Sequence, residues 1–164
     1  MNNDNQLDSW FLENLVCPVD KSAMSQMKDQ LICNKNNHNY SIFKNIPIML
    51  VKEKIPTHSG LFQNTWNIIN GKNAIEENLP MQKSEKYVDF FVQKSIAGTN
   101  SNIYKNLIGK LPRYPIPHFP FTSPTKGQLL LDVGCSWGRW CFSASKSGFI
   151  PVGIDPDLES ILAA

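Results

Sequence analysis

The stretch "LLLDVGCSWGRW", residues 129–140, breaks an apolar run with an acid and two glycines. Glycine at 134 lets the backbone turn tightly and leaves room for a ligand across it, while Gly138 lets a helix start close against the strand. A second acid, Asp155, follows roughly twenty residues after Asp132, where a carboxylate ending the next strand accepts hydrogen bonds from ribose hydroxyls. The implied chemistry is capture of a nucleoside-like ligand. A phosphate-binding loop needs a Gly-Lys-Ser/Thr ending, which is absent, and a nicotinamide fingerprint needs a third glycine placed differently from Gly134 and Gly138. An acid at the start of the loop would also face a pyrophosphate as anion against anion, whereas it suits a ligand with a cationic amino-acid portion.

The elements that must hold these residues alternate in type. "QLLLDV" is a fully buried strand by its continuous apolar run, residues 138–147 form a helix closed by Gly148, and "FIPVGID" is a second strand. "PDLESILAA" opens a second helix, with Pro156 in its first turn and Asp155 or Asp157 at the cap. This β-α-β-α order starts a parallel sheet.

Upstream, "LDSWFLENL" sets apolar residues at 7, 10, 11 and 15 on one face of a short helix that Cys17-Pro18 ends. "DQLICN" and "YSIFKNIPIMLV" read as strands of a small β module, with Leu31 and Cys33 alternating inward and "FKN" as a turn. A polar boundary falls at about residues 52–60, followed by a helical stretch over 61–111. Its clearest helix is "SEKYVDFFVQKSIAG", with Ser84 as cap, Val88, Phe91, Val92 and Ile96 at helical spacing and Gly98 as stop; "SNIYKNLIGK", from Ser101 or Asn102 to Gly109, repeats the pattern. "LPRYPIPHFPFTSPTKG" is too rich in proline for a helix interior or a central strand. It reads as an extended connector whose Tyr114, Phe119 and Phe121 pack onto a neighbouring surface, with a substrate-covering loop as the alternative.

Composition narrows the function classes. The 164 residues carry 16 basic and 14 acidic side chains, net +2, with the basic residues scattered, so nucleic acid is neither implied nor excluded. The hydrophobic fraction of 41% suits a globular protein, and no apolar run approaches a membrane span. The N-terminus carries Asp4 and Asp8 and no basic residue ahead of an apolar segment, unlike a secretory signal, which points to the cytoplasm. In such a reducing compartment Cys17, Cys33, Cys135 and Cys141 serve as metal ligands or buried thiols rather than disulfides. Neither Cys135 nor Cys141 has an evident His partner, so both read as packing residues rather than nucleophiles.

Residues 128–164 resemble the first two motifs of class I S-adenosylmethionine-dependent methyltransferases. The resemblance implies that Asp132, Gly134, Cys135, Ser136 and Gly138 form the loop around the methionine part of S-adenosyl-L-methionine, and that Asp155 holds the ribose. Ser136 stands where the family commonly has a middle glycine. The implied reaction is attack of a substrate nucleophile on the sulfonium methyl, with the enzyme aligning the reactants. No catalytic base and no class of methyl acceptor is legible.

Residues 12–51 are similar to the small zinc-ribbon-like domain that activates tRNA and release-factor methyltransferases, and to its bacterial relatives. Cys17 and Cys33 match the first cysteine of each CxxC pair, and Tyr40, Ile42, Ile46, Pro47 and Ile48 match the strands. Asp20 and Asn36 stand in place of the second cysteines, so a four-thiolate zinc site cannot form. The expected state is two buried free cysteines and no metal, the alternative being a mixed site of Cys17, Asp20, Cys33 and His38. His38 reads as an ordinary turn residue, with His58 and His118 unremarkable in their loops.

The sum is an α+β chain: a ribbon-like module over residues 1–55, a helical and Pro-rich connector over 56–126, and over 127–164 the first β-α-β-α of a Rossmann-like methyltransferase domain. Two parallel strands cannot bury both sheet faces, so the chain reads as part of a longer enzyme or a shortened gene product. The expected function is methyl transfer to an acceptor, with self-association or a protein partner completing the fold; the alternative is a non-catalytic partner or activator of another methyltransferase.

Overall fold

The computed structural model describes residues 6–51, 59–72, 92, 113, 116–121, 125 and 127–164. Expectations for Ser84, Val88, Phe91, Ile96, Gly98, Ser101, Asn102, Gly109, Tyr114 and His58 lie outside them. The chain divides into two compact units, Met1–Phe62 and Gln63–Ala164. The architecture is α+β, an antiparallel four-stranded sheet in the first unit and a parallel two-stranded sheet in the second.

In the first unit, α1 spans Ser9–Asn14. The Asp8 carboxylate accepts from the Trp10 N–H at 2.8 Å, satisfying an amide that the helix start leaves without an intrahelical partner. Four strands follow as a meander: β1 Met24–Met27, β2 Gln30–Cys33, β3 Asn39–Phe43 and β4 Ile46–Pro47. The β3–β4 loop consists of Lys44 and Asn45, both in the left-handed region at φ 47° and 62°, the primed turn whose twist matches that of paired strands. Alternate residues of β2 and β3 point inward, so Leu31, Cys33, Tyr40 and Ile42 join Leu7, Cys17 and Met24 in one core that Phe11, Leu12, Leu15 and Met49 flank.

Strand β1 is missing from the sequence reading. "MSQM" has little strand propensity, and β1 forms because β2 pairs with it in register, Met24 opposite Cys33 through Met27 opposite Gln30, around the Lys28 turn at φ 55°.

In the second unit, β5 Leu129–Val133 and β6 Ile150–Ile154 pair in parallel, joined by α3 Arg139–Lys146, and α4 Leu158–Leu162 follows. The helix α2, Ser59–Ile69, supplies Thr65 to this unit: its hydroxyl donates to the Pro156 carbonyl at 2.9 Å and accepts from the Leu158 N–H at 3.4 Å. Buried Phe119 meets the rings of Phe121, Trp140 and Phe149, and the Pro117 carbonyl accepts from the Ser143 hydroxyl at 2.6 Å, so this part of the Pro-rich stretch packs as expected. Phe121 itself is mostly exposed.

The expectation of a fully buried β5 is corrected. Leu129, Leu131 and Val133 are 52%, 62% and 73% exposed, and on the same face Ile150 and Ile154 are about half exposed. The physical reason is that α3 lies over the opposite face, where Cys141 reaches Asp132, and among the described residues nothing covers this one. Among the described residues no helix is long and apolar enough to cross a membrane.

Candidate functional site

The loop between β5 and α3 brings together the predicted residues Asp132, Gly134, Cys135, Ser136 and Gly138, and Asp155 stands at its side. Gly134, Ser136 and Gly138 all have left-handed backbones, at φ 79°, 50° and 78°. A Cβ on Gly134 would meet open space, so this glycine is set by its dihedral angle and not by crowding. Serine occupies a conformation that favours glycine, at a cost of order 1–2 kcal/mol. Ser136→Gly is therefore expected to leave the thermal midpoint unchanged or raised, and β-branched Ser136→Val to lower stability by at least about 1 kcal/mol; equal midpoints for the two variants in thermal unfolding would contradict this.

The loop amides are spent within the protein. The N–H groups of Gly134 and Cys135 donate to the Ile154 carbonyl at 2.8 and 3.1 Å, that of Ser136 to Asp155 Oδ2 at 2.8 Å, and that of Gly138 to the Cys135 carbonyl at 2.9 Å. A phosphate cradle depends on such amides converging on the anion, and here four point elsewhere. These four amides therefore form no cradle for a pyrophosphate.

Asp155 ties the site together. Its Oδ1 accepts from the Asp157 N–H at 2.8 Å while Oδ2 holds Ser136, and each carboxylate oxygen keeps a second lone pair for a ligand. Asp132, half-buried, accepts from the Cys141 thiol at 3.5 Å. Burial, then the nearby Asp132 carboxylate, pushes the Cys141 thiol up to about 12; burial, then Asp155 and Asp132, pushes Cys135 up to about 11. Both stay protonated at neutral pH, which suits packing and not nucleophilic attack. Cys135 contributes its backbone to the loop, its sulfur being turned in against Gly153. Beside the loop, a cleft of about 350 Å³ is lined by Ser136, Gly138, Cys141, Phe142, Pro151 and Ile161 among others.

A second group of reactive side chains gathers in the first unit. One ligand atom from each of Cys17, Asp20, Cys33 and His38 lies within 4.8 Å of the others. Cys17 Sγ is 3.4 Å from His38 Nδ1 and 3.4 Å from the Tyr40 hydroxyl. The Cys33 thiol donates to the Asp20 carboxylate at 3.4 Å, and His38 Nδ1 is 3.6 Å from Asp20 Oδ2. Burial opposes the Cys17 thiolate, but hydrogen bonds from Tyr40, from the Asp20 and Val19 backbone and from His38 outweigh it and bring the thiol down to about 7. The Ser22 N–H at 3.0 Å, aided against desolvation by Asn36 and Cys33, holds Asp20 far below the usual carboxylate range. Burial, then the neighbouring Cys17, pushes the Tyr40 hydroxyl well above its ordinary value.

Comparison with known proteins bears on part of the chain. No family model matches it. UPF0434 proteins of Paraburkholderia phymatum and Paraburkholderia phytofirmans are each 41% identical over 56 residues, covering 33% of this chain and 84% of the relative. The chain belongs to the UPF0434 family. A UPF0434 protein of Vesicomyosocius okutanii is 40% identical over 47 residues, 29% of this chain and 80% of its own length. The UPF0434 names state no activity, and no solved structure matches the chain.

For this UPF0434 chain, sequence reasoning undervalued two residues. His38, an ordinary turn residue in the first expectation and a ligand only in the alternative mixed site, reaches the thiol of Cys17; the signal is its position five residues after Cys33, on a turn whose backbone repeats that of Cys17. Gly153 was passed over, although a glycine inside an apolar strand is a sign of close approach. His118 is exposed, in keeping with its reading.

Proposed function

We propose that the second unit is the cofactor-binding start of a class I S-adenosylmethionine-dependent methyltransferase. The supporting observation is the parallel β5–α3–β6 unit in which Asp155 is bonded directly to the Ser136 amide of the loop after β5. In this reading Asp155 accepts from the ribose hydroxyls, Asp132 faces the cationic amino-acid end, and the left-handed backbone at Gly134, Ser136 and Gly138 wraps the methionine part. The cofactor when bound supplies an activated methyl group; the residues of this chain bind and orient it. The acceptor is unassigned.

A second reading, a module that binds a separate methyltransferase, is favoured by the exposed Val16 and Val19 on the turn that carries Cys17. Calorimetric titration of S-adenosylhomocysteine separates the two. The methyltransferase reading expects saturable one-to-one binding by the full chain, with Asp155→Asn weakening it about tenfold or more, a loss of about 1.4 kcal/mol. Asp155→Ala should also lower the unfolding midpoint, because the Ser136 and Asp157 amides lose their acceptor. Absence of heat with the parent chain, together with co-purification of a separate catalytic subunit, would move the assignment to the second reading.

A further inference from the structure

The two turns that carry the first unit's cysteines are built alike. In one, the Cys17 N–H donates to the Ser22 carbonyl at 2.9 Å and the Cys17 carbonyl accepts from the Lys21 N–H at 2.9 Å. In the other, the Cys33 N–H donates to the His38 carbonyl at 2.8 Å and the Cys33 carbonyl accepts from the Asn37 N–H at 3.1 Å. Lys21 and Asn37 occupy matching left-handed positions, at φ 64° and 56°. Each turn thus presents the residue at its start and the residue three later: Cys17 with Asp20, and Cys33 with Asn36.

Asn36 does not point into the cluster as a ligand. Its amide donates to Asp20 Oδ2 at 2.7 Å, fixing that carboxylate, and His38 brings Nδ1 in instead. The result is two sulfurs, one nitrogen and one carboxylate oxygen, converging from two matched turns.

We propose that Cys17, Asp20, Cys33 and His38 form a tetrahedral site for a single divalent transition metal, zinc being the ion that this donor set suits. Zinc holds sulfur at about 2.3 Å and nitrogen or oxygen at about 2.0–2.2 Å, which sets tetrahedral donor separations of about 3.3–3.8 Å. Three of the six separations already fall there: Cys17 to His38 at 3.4 Å, Cys33 to Asp20 at 3.4 Å and Asp20 to His38 at 3.6 Å. The others are within 4.8 Å, so closing the site takes side-chain adjustment alone. The supporting shell is in place: Tyr40 on Cys17, and Ser22 and Asn36 on Asp20. Both sulfurs are fully buried, while the His38 side chain is 36% exposed and gives the ion its way in. Hydrogen bonds between the ligands hold the site without metal, so binding is reversible and adds stability to a module that already has its own core.

The test is titration of cobalt(II) and then zinc into the full chain, kept reduced with a non-thiol reductant. Expected are one cobalt per chain, the strong visible bands of tetrahedral cobalt, a thiolate charge-transfer band of two-sulfur strength, and stoichiometric displacement by zinc. His38→Ala and Asp20→Asn should each weaken binding at least tenfold with the circular dichroism spectrum unchanged, and Asn36→Cys, supplying a third thiolate, should tighten it. Absence of tetrahedral bands in the parent chain would overturn the proposal. So would bands indifferent to both His38→Ala and Asp20→Asn, since the ion would then sit on other residues.

Discussion

Gly153→Val is expected to destabilise the second unit by about 3 kcal/mol, visible as an earlier midpoint in thermal or urea unfolding. Gly153 is exposed, and replacing an exposed strand glycine with a β-branched residue would ordinarily stabilise the strand. Here the sign reverses. A Cβ at 153 would lie 2.8 Å from Cys135 Sγ, 3.0 Å from Cys135 Cβ and 3.1 Å from Cys141 Sγ, inside van der Waals contact with all three. Cys135 belongs to a loop fixed by three hydrogen bonds to the end of β6, so the loop cannot retreat without breaking them. The cost is a sizeable share of the 5–15 kcal/mol typical of a folded domain. Cys135→Ala removes the nearest atom but leaves its Cβ, so the double variant should recover part of the loss. Strict additivity of the two changes would show that the thiol is not what Gly153 makes room for.

Leu31→Ala is expected to cost about 3 kcal/mol or more in the first unit. Leu31 is fully buried on β2, between β1 and β3, at the centre of the core formed with Leu7, Cys17, Met24, Cys33, Tyr40 and Ile42. Deleting its branched end removes its transfer free energy and leaves a cavity that a paired central strand cannot collapse into. A single core of this size supplies only about 3–5 kcal/mol, so the variant should populate the unfolded module at room temperature. Amide hydrogen exchange localises the effect: protection should be lost across residues 24–43 and kept across 129–154. Retained protection at 24–43 would mean that Leu31 is not the keystone described.

The sequence carried much of this arrangement. The apolar spacing at Leu7, Trp10, Phe11 and Leu15 gave α1, the inward alternation at Leu31 and Cys33 gave β2, and the apolar run ending in Asp132 and Gly134 gave β5 and its loop, because each signal is local. What escaped was set by pairing or by distance. Strand β1 has no pattern of its own and exists through β2. The exposure of Leu131 and Val133 depends on which element covers a face, which a run of apolar residues does not encode. His38, open in the sequence only as one member of an alternative mixed site, reaches Cys17 while the Asn36 amide is held on Asp20.

The amides of Gly134, Cys135 and Ser136 all donate to the two residues Ile154 and Asp155, and Asp155 in turn holds the N–H of Asp157. The loop and the exit of β6 consequently open as one cooperative unit, and their amide protons should exchange with solvent at a common rate. A molecule seated on Asp155 would slow all three loop protons together and carry the effect into α4. The kinetics of those few protons would thus report occupancy before any turnover is known.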